Sequence, residues 1–398
     1  MISCETSRTL SFPLSKNFLI QEEKIPTDTY PGVKWNCISA GEAGFDSGKL
    51  ELAKRWLDDR VGNGKYRIVI IRSGKIVSGW NHGFGPKKRL PFLLAAKSVL
   101  SRKIALNGGH PVSDSNQNAG VEKRLSLASA AKSIFSCILG IAIENGKIRS
   151  ADDRVIDYYP EAFDVKEGQG PKPGRYAFKK DRKITFRQLI SNTSGYMKPG
   201  EEPGKVFHYQ TYAMNILTHA IAKTYGLYST ADPNGSPGLK PLIDERIRIP
   251  IGGDWEYKFD NFNLHSKARI NIFGYYDGVK ASALDMARLG WLWCNWGRWK
   301  DKQLIPEEWM REATKTAPDI IANCSKEQWK YGYGFWTNDH LQLWPSLPRD
   351  SFAASGAGSQ NIWICPSLDL VVVQSPGLWQ DQTENDTGFL RLVVDACA

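Results

Sequence analysis

The spacing of apolar positions changes character along the chain. Leu50 to Val61 carries apolar residues at helical intervals and stops at Gly62-Asn63-Gly64, which predicts an amphipathic helix with a glycine end. Tyr66-Arg67-Ile68-Val69-Ile70-Ile71 and Lys75-Ile76-Val77-Ser78-Gly79-Trp80 flank Ser73-Gly74, the pattern of a β-hairpin. From Leu127 to Glu144 the chain is apolar on nearly every helical side. Ile134, Ile138 and Ile141 form one series and Phe135, Leu139 and Ala142 another, so this helix is predicted to be central and buried. Asn145-Gly146 ends it. Helical spacing recurs at Phe186–Ser191, Tyr212–Tyr225, Ala283–Trp296 and Pro306–Thr314. Strand patterns return at Tyr333–Trp336, Gln360–Cys365 and Leu370–Gln374, with Pro366-Ser367-Leu368-Asp369 turning between the last two. A final helix is predicted over Glu384–Val394.

Strands thus lie toward both ends and helices in the middle. The simplest closure is one antiparallel sheet built from both termini, flanked by helices, with a helical unit inserted. The expected class is α+β. Residues 46–125 and 325–398 are assigned to the sheet domain, 126–324 to a mainly helical domain, and 1–45 to an irregular extension. Residues 83–124, rich in Gly, Pro, Lys and Asn, read as a long excursion that would partly cover a site. No internal repeat or low-complexity segment occurs.

Composition narrows the class further. The 398 residues are 41% hydrophobic, with 14 Trp, 15 Tyr and 16 Phe, as in a folded globular protein. The net charge of +10 is concentrated at Lys87-Lys88-Arg89 and Lys179-Lys180-Asp181-Arg182-Lys183, both in stretches read as solvated loops. No nucleic-acid partner is therefore expected. The seven cysteines are scattered and form no C-x-x-C pair, so neither a zinc site nor a disulfide framework is indicated. Cys137, Cys294 and Cys365 lie in apolar segments and read as small core residues. This usage favours a reducing compartment, and a cytoplasmic location leads over a periplasmic or secreted one with a signal removed. No apolar stretch is long enough to span a membrane. Oligomeric state is not legible.

The candidate chemistry lies at the start of the buried helix. A serine hydroxyl is protonated at neutral pH and needs a base before it attacks a carbonyl. None of the six histidines sits in an evident pairing, and no G-x-S-x-G elbow, H-E-x-x-H, P-loop or G-x-G-x-x-G occurs. Ser129-Ala130-Ala131-Lys132 does occur. Residues i and i+3 share a helix face, so the lysine can reach the hydroxyl. Burial and the positive end of the helix dipole both disfavour its ammonium form. Ala130 and Ala131 are small enough to leave room for a substrate.

The surrounding sequence resembles the serine β-lactamase and penicillin-binding-protein superfamily over about residues 66–375. It is closest in type to the class C-like branch, with family VIII carboxylesterases and 6-aminohexanoate-dimer hydrolases. Asp152-Asp153-Arg154-Val155 is similar to the turn after the nucleophile helix. Ile184-Thr185-Phe186-Arg187-Gln188-Leu189-Ile190-Ser191-Asn192-Thr193-Ser194-Gly195 is similar to the I-T-x-R-x-L-L-x-x-T-S-G signature. Pro203-Gly204-Lys205-Val206-Phe207-His208-Tyr209-Gln210-Thr211 resembles P-G-x-x-F-x-Y-S-N, which implies that Tyr209 is the second catalytic group, as phenolate or hydrogen-bonded phenol. Gly278 to Arg288 matches a structural helix, and Tyr331 to Trp336 a strand leading to the site. The third motif, K-T-G, H-T-G or W-G-G, falls by spacing on Ala354-Ser355-Gly356.

The resemblance implies a β-lactamase/transpeptidase-like fold and a serine hydrolase working without metal or organic cofactor on a small-molecule ester or amide. Ser129 is the nucleophile, with Lys132 and Tyr209 beside it. The oxyanion would rest on the N–H groups of Ser129 and Ala357, or of Ser359 if the alignment slips by two, while Gly358 lets the backbone approach. Thr211, Ser355, Gly356, Gly358 and Ser359 are the substrate-binding candidates. Two departures matter. Thr211 stands where β-lactamases carry Asn, and Ala354 where they carry a cationic or imidazole group. Both point away from β-lactams and toward a carboxylesterase, with Arg349 or Lys198 left to supply a cation from a loop. His208 reads as a packing or hydrogen-bonding residue. Trp336, Trp344 and Trp379 are rim aromatics or core, and Trp363 is core. Amide hydrolysis is the alternative, and a turnover-free ligand-binding protein the alternative of another class.

Overall fold

Strand β1 (Tyr66–Arg72) is buried on both faces, which is why its sequence is a continuous apolar run. Alternation splits that run between two cores. Ile68 and Ile70 join Trp363, Leu370 and Val372 on one side, and Val69 and Ile71 join Ile362, Ile364, Val371 and Val373 on the other. The computed structural model describes residues 30–84, 122–260, 270–273, 276–378 and 388–397. In it β1 belongs to a six-stranded sheet of order β2 (Lys75–His82), β1, β11 (Leu370–Gln374), β10 (Gln360–Cys365), β9 (Phe352–Gly356) and β8 (Trp336–Thr337). Every neighbouring pair is antiparallel. The two ends of the chain meet where β1 pairs with β11, Ile70 opposite Val372.

Helices cover both faces. Helix α1 (Ser47–Val61), capped by the Asp46 carboxylate accepting from Lys49 N–H at 3.0 Å, packs with the C-terminal helix α6 (Phe389–Asp395) on the first core. Helices α2 (Ala131–Glu144) and α5 (Ala283–Cys294) pack on the other. Helix α5 comes from the middle of the sequence yet lies on the sheet. A Cβ on its Gly290 would fall 2.5 Å from Val371 Cγ1 and 2.7 Å from Ile362 Cγ2, so glycine is what allows the helix so close. Cys137, Cys294 and Cys365 are buried, as read from their apolar neighbours.

Several sequence expectations shift. The helix expected from Leu127 begins as a 3-10 turn over Ala128–Ala130 and becomes α-helical at Ala131. Gly278 to Ala281 is not helical but part of β5 (Tyr276–Ala281), which pairs with β3 (Leu125–Ser126) and β4 (Glu256–Asp260), while β6 (Arg298–Trp299) and β7 (Lys302–Gln303) form a separate short ribbon. Polar residues punctuate β4 and β5, so neither gave a strand pattern. Ser282 then caps α5, with Asp285 reciprocating. Only Trp336 of the Tyr333–Trp336 segment enters a strand; Gly334 before it lies against α2 at Lys132 and Ser136. The run Lys179–Lys183 is not wholly solvated: Lys180 Nζ donates to Asp181 Oδ1 at 2.7 Å and to Gly195 O at 2.8 Å. Most of the 83–124 excursion, and with it the covering role, lies outside the described residues. So does the start of the predicted last helix. Among the described residues no helix is long and apolar enough to cross a membrane, and no cluster of three or more His, Cys, Asp or Glu could hold a metal.

Gly290→Val should lower the unfolding free energy by about 1–3 kcal/mol through overpacking against Val371 and Ile362. A urea midpoint unchanged from the wild type would contradict the close contact of α5 with the sheet.

Candidate active site

Ser129 is placed by a short chain of constraints. β3 pins Leu125 opposite Ala281, and Leu127 N–H donates to Val279 O at 2.8 Å. The Leu127 side chain is fully buried. Ala128 then turns the chain at φ 46°, a left-handed value that a non-glycine residue adopts only where its surroundings enforce it. The following 3-10 turn presents Ser129, half-buried, at the mouth of α2. In a first turn its N–H has no acceptor within the helix. Ala130 and Ala131 do not border an open space as expected; both are buried in the core.

Lys132 sits one turn on, 1% exposed, and its Nζ lies 2.6 Å from Ser129 Oγ. Burial alone pushes its pKa down to about 7. No carboxylate pairs with it among the described residues, so nothing restores the charged form. The Nζ also lies 4.8 Å from the centre of the Tyr209 ring.

Tyr209 hydrogen-bonds Ser129. Burial raises its pKa to about 12, while the bond to Ser129 works in the opposite direction. Its ring stacks on Trp336 (5.8 Å between centroids, 19° between planes) and meets Tyr331 edge-on at 5.8 Å. Trp336 is therefore a wall of the tyrosine, and Trp344 is core, 6.5 Å from the buried Trp363. Trp379 lies outside the described residues.

Two segments hold this wall and this tyrosine. In the Tyr331–Trp336 stretch a Cβ on Gly332 would meet Ala313 O at 2.2 Å, and one on Gly334 (φ 80°) would meet Lys132 O at 2.9 Å. Ser133 Oγ donates to Gly334 O at 2.7 Å, tying the loop to the turn that carries Lys132. On the other side, Thr185 caps helix α3 (Phe186–Ile190) and Gln188 reciprocates. Asn192 follows at φ 59°. Its carbonyl accepts from His208 N–H and its side-chain Oδ1 from Gln210 N–H, both at 2.9 Å. Gly204 N–H reaches Thr193 O at 2.7 Å and Gln210 Nε2 reaches Ser194 Oγ at 3.1 Å. The signature run thus grips both neighbours of Tyr209. Sequence reading identified the run but gave Asn192 no role. The signal was there: a short polar side chain that tolerates a left-handed backbone, directly after a capped helix.

Strand β9 ends against the same turn. A Cβ on Gly356 would lie 2.1 Å from Leu127 O, 2.9 Å from Ala130 N and 3.0 Å from Ser129 N. The close approach expected at Gly358 is made by Gly356 instead. A Cβ on Gly358 (φ 77°) would meet nothing nearer than 3.9 Å, and with Ser359 (φ 58°) Gly358 forms the hairpin turn joining β9 to β10. Ala357, exposed, follows Gly356 directly. Ala354 shares the face of Gly356, and strand alternation sets Ser355 on the opposite one. Thr211 precedes helix α4 (Tyr212–Thr224) without capping it and lines a hollow of about 420 Å³ together with Tyr209 and Lys198. Arg349 is not among the lining residues of that hollow; its Nη1 donates to Asp339 O at 3.3 Å. His208 Nδ1 lies 2.9 Å from Glu201 Oε1, a hydrogen-bonding role.

Replacing Asn192 tests the grip on Tyr209. Asn192→Gly keeps the left-handed backbone and strands the Gln210 N–H, at a cost of about 1–3 kcal/mol. Asn192→Ala adds the penalty of φ 59° and should unfold at lower denaturant than the glycine variant, by a further 1–2 kcal/mol or roughly so. Equal midpoints for both variants and the wild type would contradict it.

Comparison with known proteins agrees with this architecture. The sequence profile of the Beta-lactamase family matches residues 67–375. A stretch of 92 residues, 21% of the chain, is 37% identical to Beta-lactamase-like protein 1 of Dictyostelium discoideum, and it spans only 14% of that protein's length. Among solved structures, a penicillin-binding-protein homologue from Caulobacter crescentus superposes with TM-score 0.58 at 14% identity, covering 89% of this chain and 99% of that one. A candidate 6-aminohexanoate-dimer hydrolase from Bacillus anthracis gives 0.56 at 16%, covering 94% and 89%. Unliganded simvastatin synthase (LovD) from Aspergillus terreus gives 0.56 at 14%, covering 88% and 98%. At these identities the structures speak for the fold, and the profile, spanning most of the chain, speaks for the family. The chain belongs to the β-lactamase family and has the fold shared by β-lactamases and penicillin-binding proteins.

Proposed function

We propose that this chain is a serine esterase acting through an acyl-enzyme on Ser129. The observation that carries the reading is the 2.6 Å contact between the Ser129 hydroxyl and a lysine whose pKa burial lowers to about 7, so that the neutral amine is well populated at physiological pH. A neutral amine at hydrogen-bond distance is a general base. Ser129 Oγ attacks the ester carbonyl carbon as its proton moves to Lys132 Nζ. Tyr209, held as a phenol by its raised pKa, hands a proton to the leaving oxygen and recovers one from Lys132. Water then attacks the acyl-serine carbonyl, and the proton returns along the same groups to Ser129. The N–H groups of Ser129 and Ala357 serve as oxyanion donors; the seating of Gly356 on the Ser129 turn supports Ala357 over Ser359.

Two features support an ester over a β-lactam. Ala354 shares the strand face of Gly356, so a cation at that position would point to the Ser129 side, and a methyl group supplies none. Thr211 replaces the amide side chain that the family resemblance leads one to expect. Amide hydrolysis uses the same groups and differs in the leaving atom that Tyr209 must protonate. The candidate 6-aminohexanoate-dimer hydrolase keeps that second reading in view.

Hydrolysis of p-nitrophenyl acetate and butyrate tests the reading. Ser129→Ala and Lys132→Met should each lose roughly 10³-fold or more in kcat/KM, with nitrocefin a poor substrate of the wild type. The protonated amine cannot act as base, so kcat/KM should rise with pH and level off above a midpoint near 7. Ester turnover that survives Ser129→Ala, or a profile flat from pH 5 to 9, would overturn the assignment.

A further inference from the structure

The hollow beside Tyr209 has a strongly one-signed lining. Lys172, Arg175 and Lys198 contribute three cations, His208, Thr211 and Tyr212 contribute polar groups, and no carboxylate is among its described lining residues. Arg175 is fixed at the wall by donating from Nη1 to Met197 O at 3.0 Å, which leaves most of the guanidinium fork for another acceptor. Lys198 is only 6% exposed. Its ammonium contacts His208 Nδ1 and lies 3.6 Å from Glu201 Oε1, which also faces His208. Burial lowers the Lys198 pKa, and the charges of Arg175 and Lys172 lower it further against the pull of Glu201. The cations are therefore close enough to repel one another in a partly enclosed space. Such a cluster is unfavourable when empty and stabilised by an anion. With Lys198 sharing its charge with Glu201, Arg175 and Lys172 remain uncompensated among the described lining residues, which suits a small planar anion that a guanidinium can hold in two-point fashion. Thr211, whose hydroxyl does not cap α4, is a further donor at the rim.

We infer that the ester or amide cleaved at Ser129 carries a carboxylate, and that Arg175, Lys198 and Lys172 hold it in this hollow. The inference rests on the esterase reading for its chemistry. It places the substrate-orienting charge on the loop around 172–175 and on Lys198, not on strand β9, where Ala354 offers none. The substrate class is a half-ester or half-amide of a dicarboxylic acid, or an acylated hydroxy or amino acid.

Two matched pairs test it: mono-p-nitrophenyl adipate against its methyl ester, with the carboxylate on the acyl side, and 4-acetoxybenzoate against its methyl ester, with the carboxylate on the leaving side. At low salt the wild type should favour the anion about tenfold or more in kcat/KM in one pair, and the preference should shrink as salt is added. Arg175→Gln and Lys198→Gln should each cut that anion-to-ester ratio by about tenfold, and Arg349→Gln should keep the wild-type ratio. A wild type that favours neither anion, or a ratio untouched by Arg175→Gln and Lys198→Gln, overturns the inference while leaving Ser129-dependent ester turnover intact. Absence of all Ser129-dependent turnover would instead sink the esterase reading. Binding of monomethyl adipate to Ser129→Ala, followed by calorimetry, then decides on the hollow alone: binding weakened about tenfold by Arg175→Gln supports it, and none in either background overturns it.

Discussion

The rest of the site depends on one costly placement, a lysine ammonium group taken out of water with no counter-ion among the described residues. Lys132 sits in the first turn of a helix whose residues from Ala131 to Ala142 are all buried. Among the described residues no carboxylate compensates its charge, so the group responds by giving up its proton near neutral pH rather than by finding a partner. A carboxylate at its side would stabilise the fold and remove the base. The absence of one is what makes the 2.6 Å contact with Ser129 chemically useful.

Much of the surrounding backbone can be understood as what it takes to keep that turn in place and dry. Leu127 plugs the core and Ala128 accepts a left-handed backbone so that Ser129 emerges at the helix mouth. Gly334 and Gly356 bring two further segments onto the same turn at distances no side chain would permit. Tyr331 and Trp336 then enclose Tyr209 with rings rather than charges, which excludes water from the Lys132 amine without offering it a carboxylate. On the far side the capped turn ending in Asn192 fixes the backbone on either side of Tyr209.

How much of this the sequence revealed follows from range. The β1–β2 hairpin, β10 and β11 were legible because continuous apolar runs bounded by Ser73-Gly74 and Pro366–Asp369 are local signals. Ser129 and Lys132 were legible because their spacing is itself the geometry, and Tyr209 through a run of similar residues. What the sequence concealed is decided between distant segments. The role of Asn192 depends on residues 208 and 210, the mixed-polarity strands β4 and β5 depend on pairing, and the choice of Gly356 over Gly358 depends on where β9 meets the Ser129 turn. The cationic hollow brings Lys172, Arg175, Lys198 and His208 together from separate segments, and only Lys198 was read in advance as an available cation.

The account's central claim is that burial, not ion pairing, sets the state of Lys132. Its side chain can be titrated directly in protein labelled with ¹³C-lysine, the Lys132 Cε resonance identified by its loss in Lys132→Met. The prediction is a shift from ammonium to amine with a midpoint near pH 7, far below the 10.5 of a lysine in water. A resonance that keeps its ammonium shift up to about pH 10 would contradict it, because a charged Lys132 cannot take the proton of Ser129.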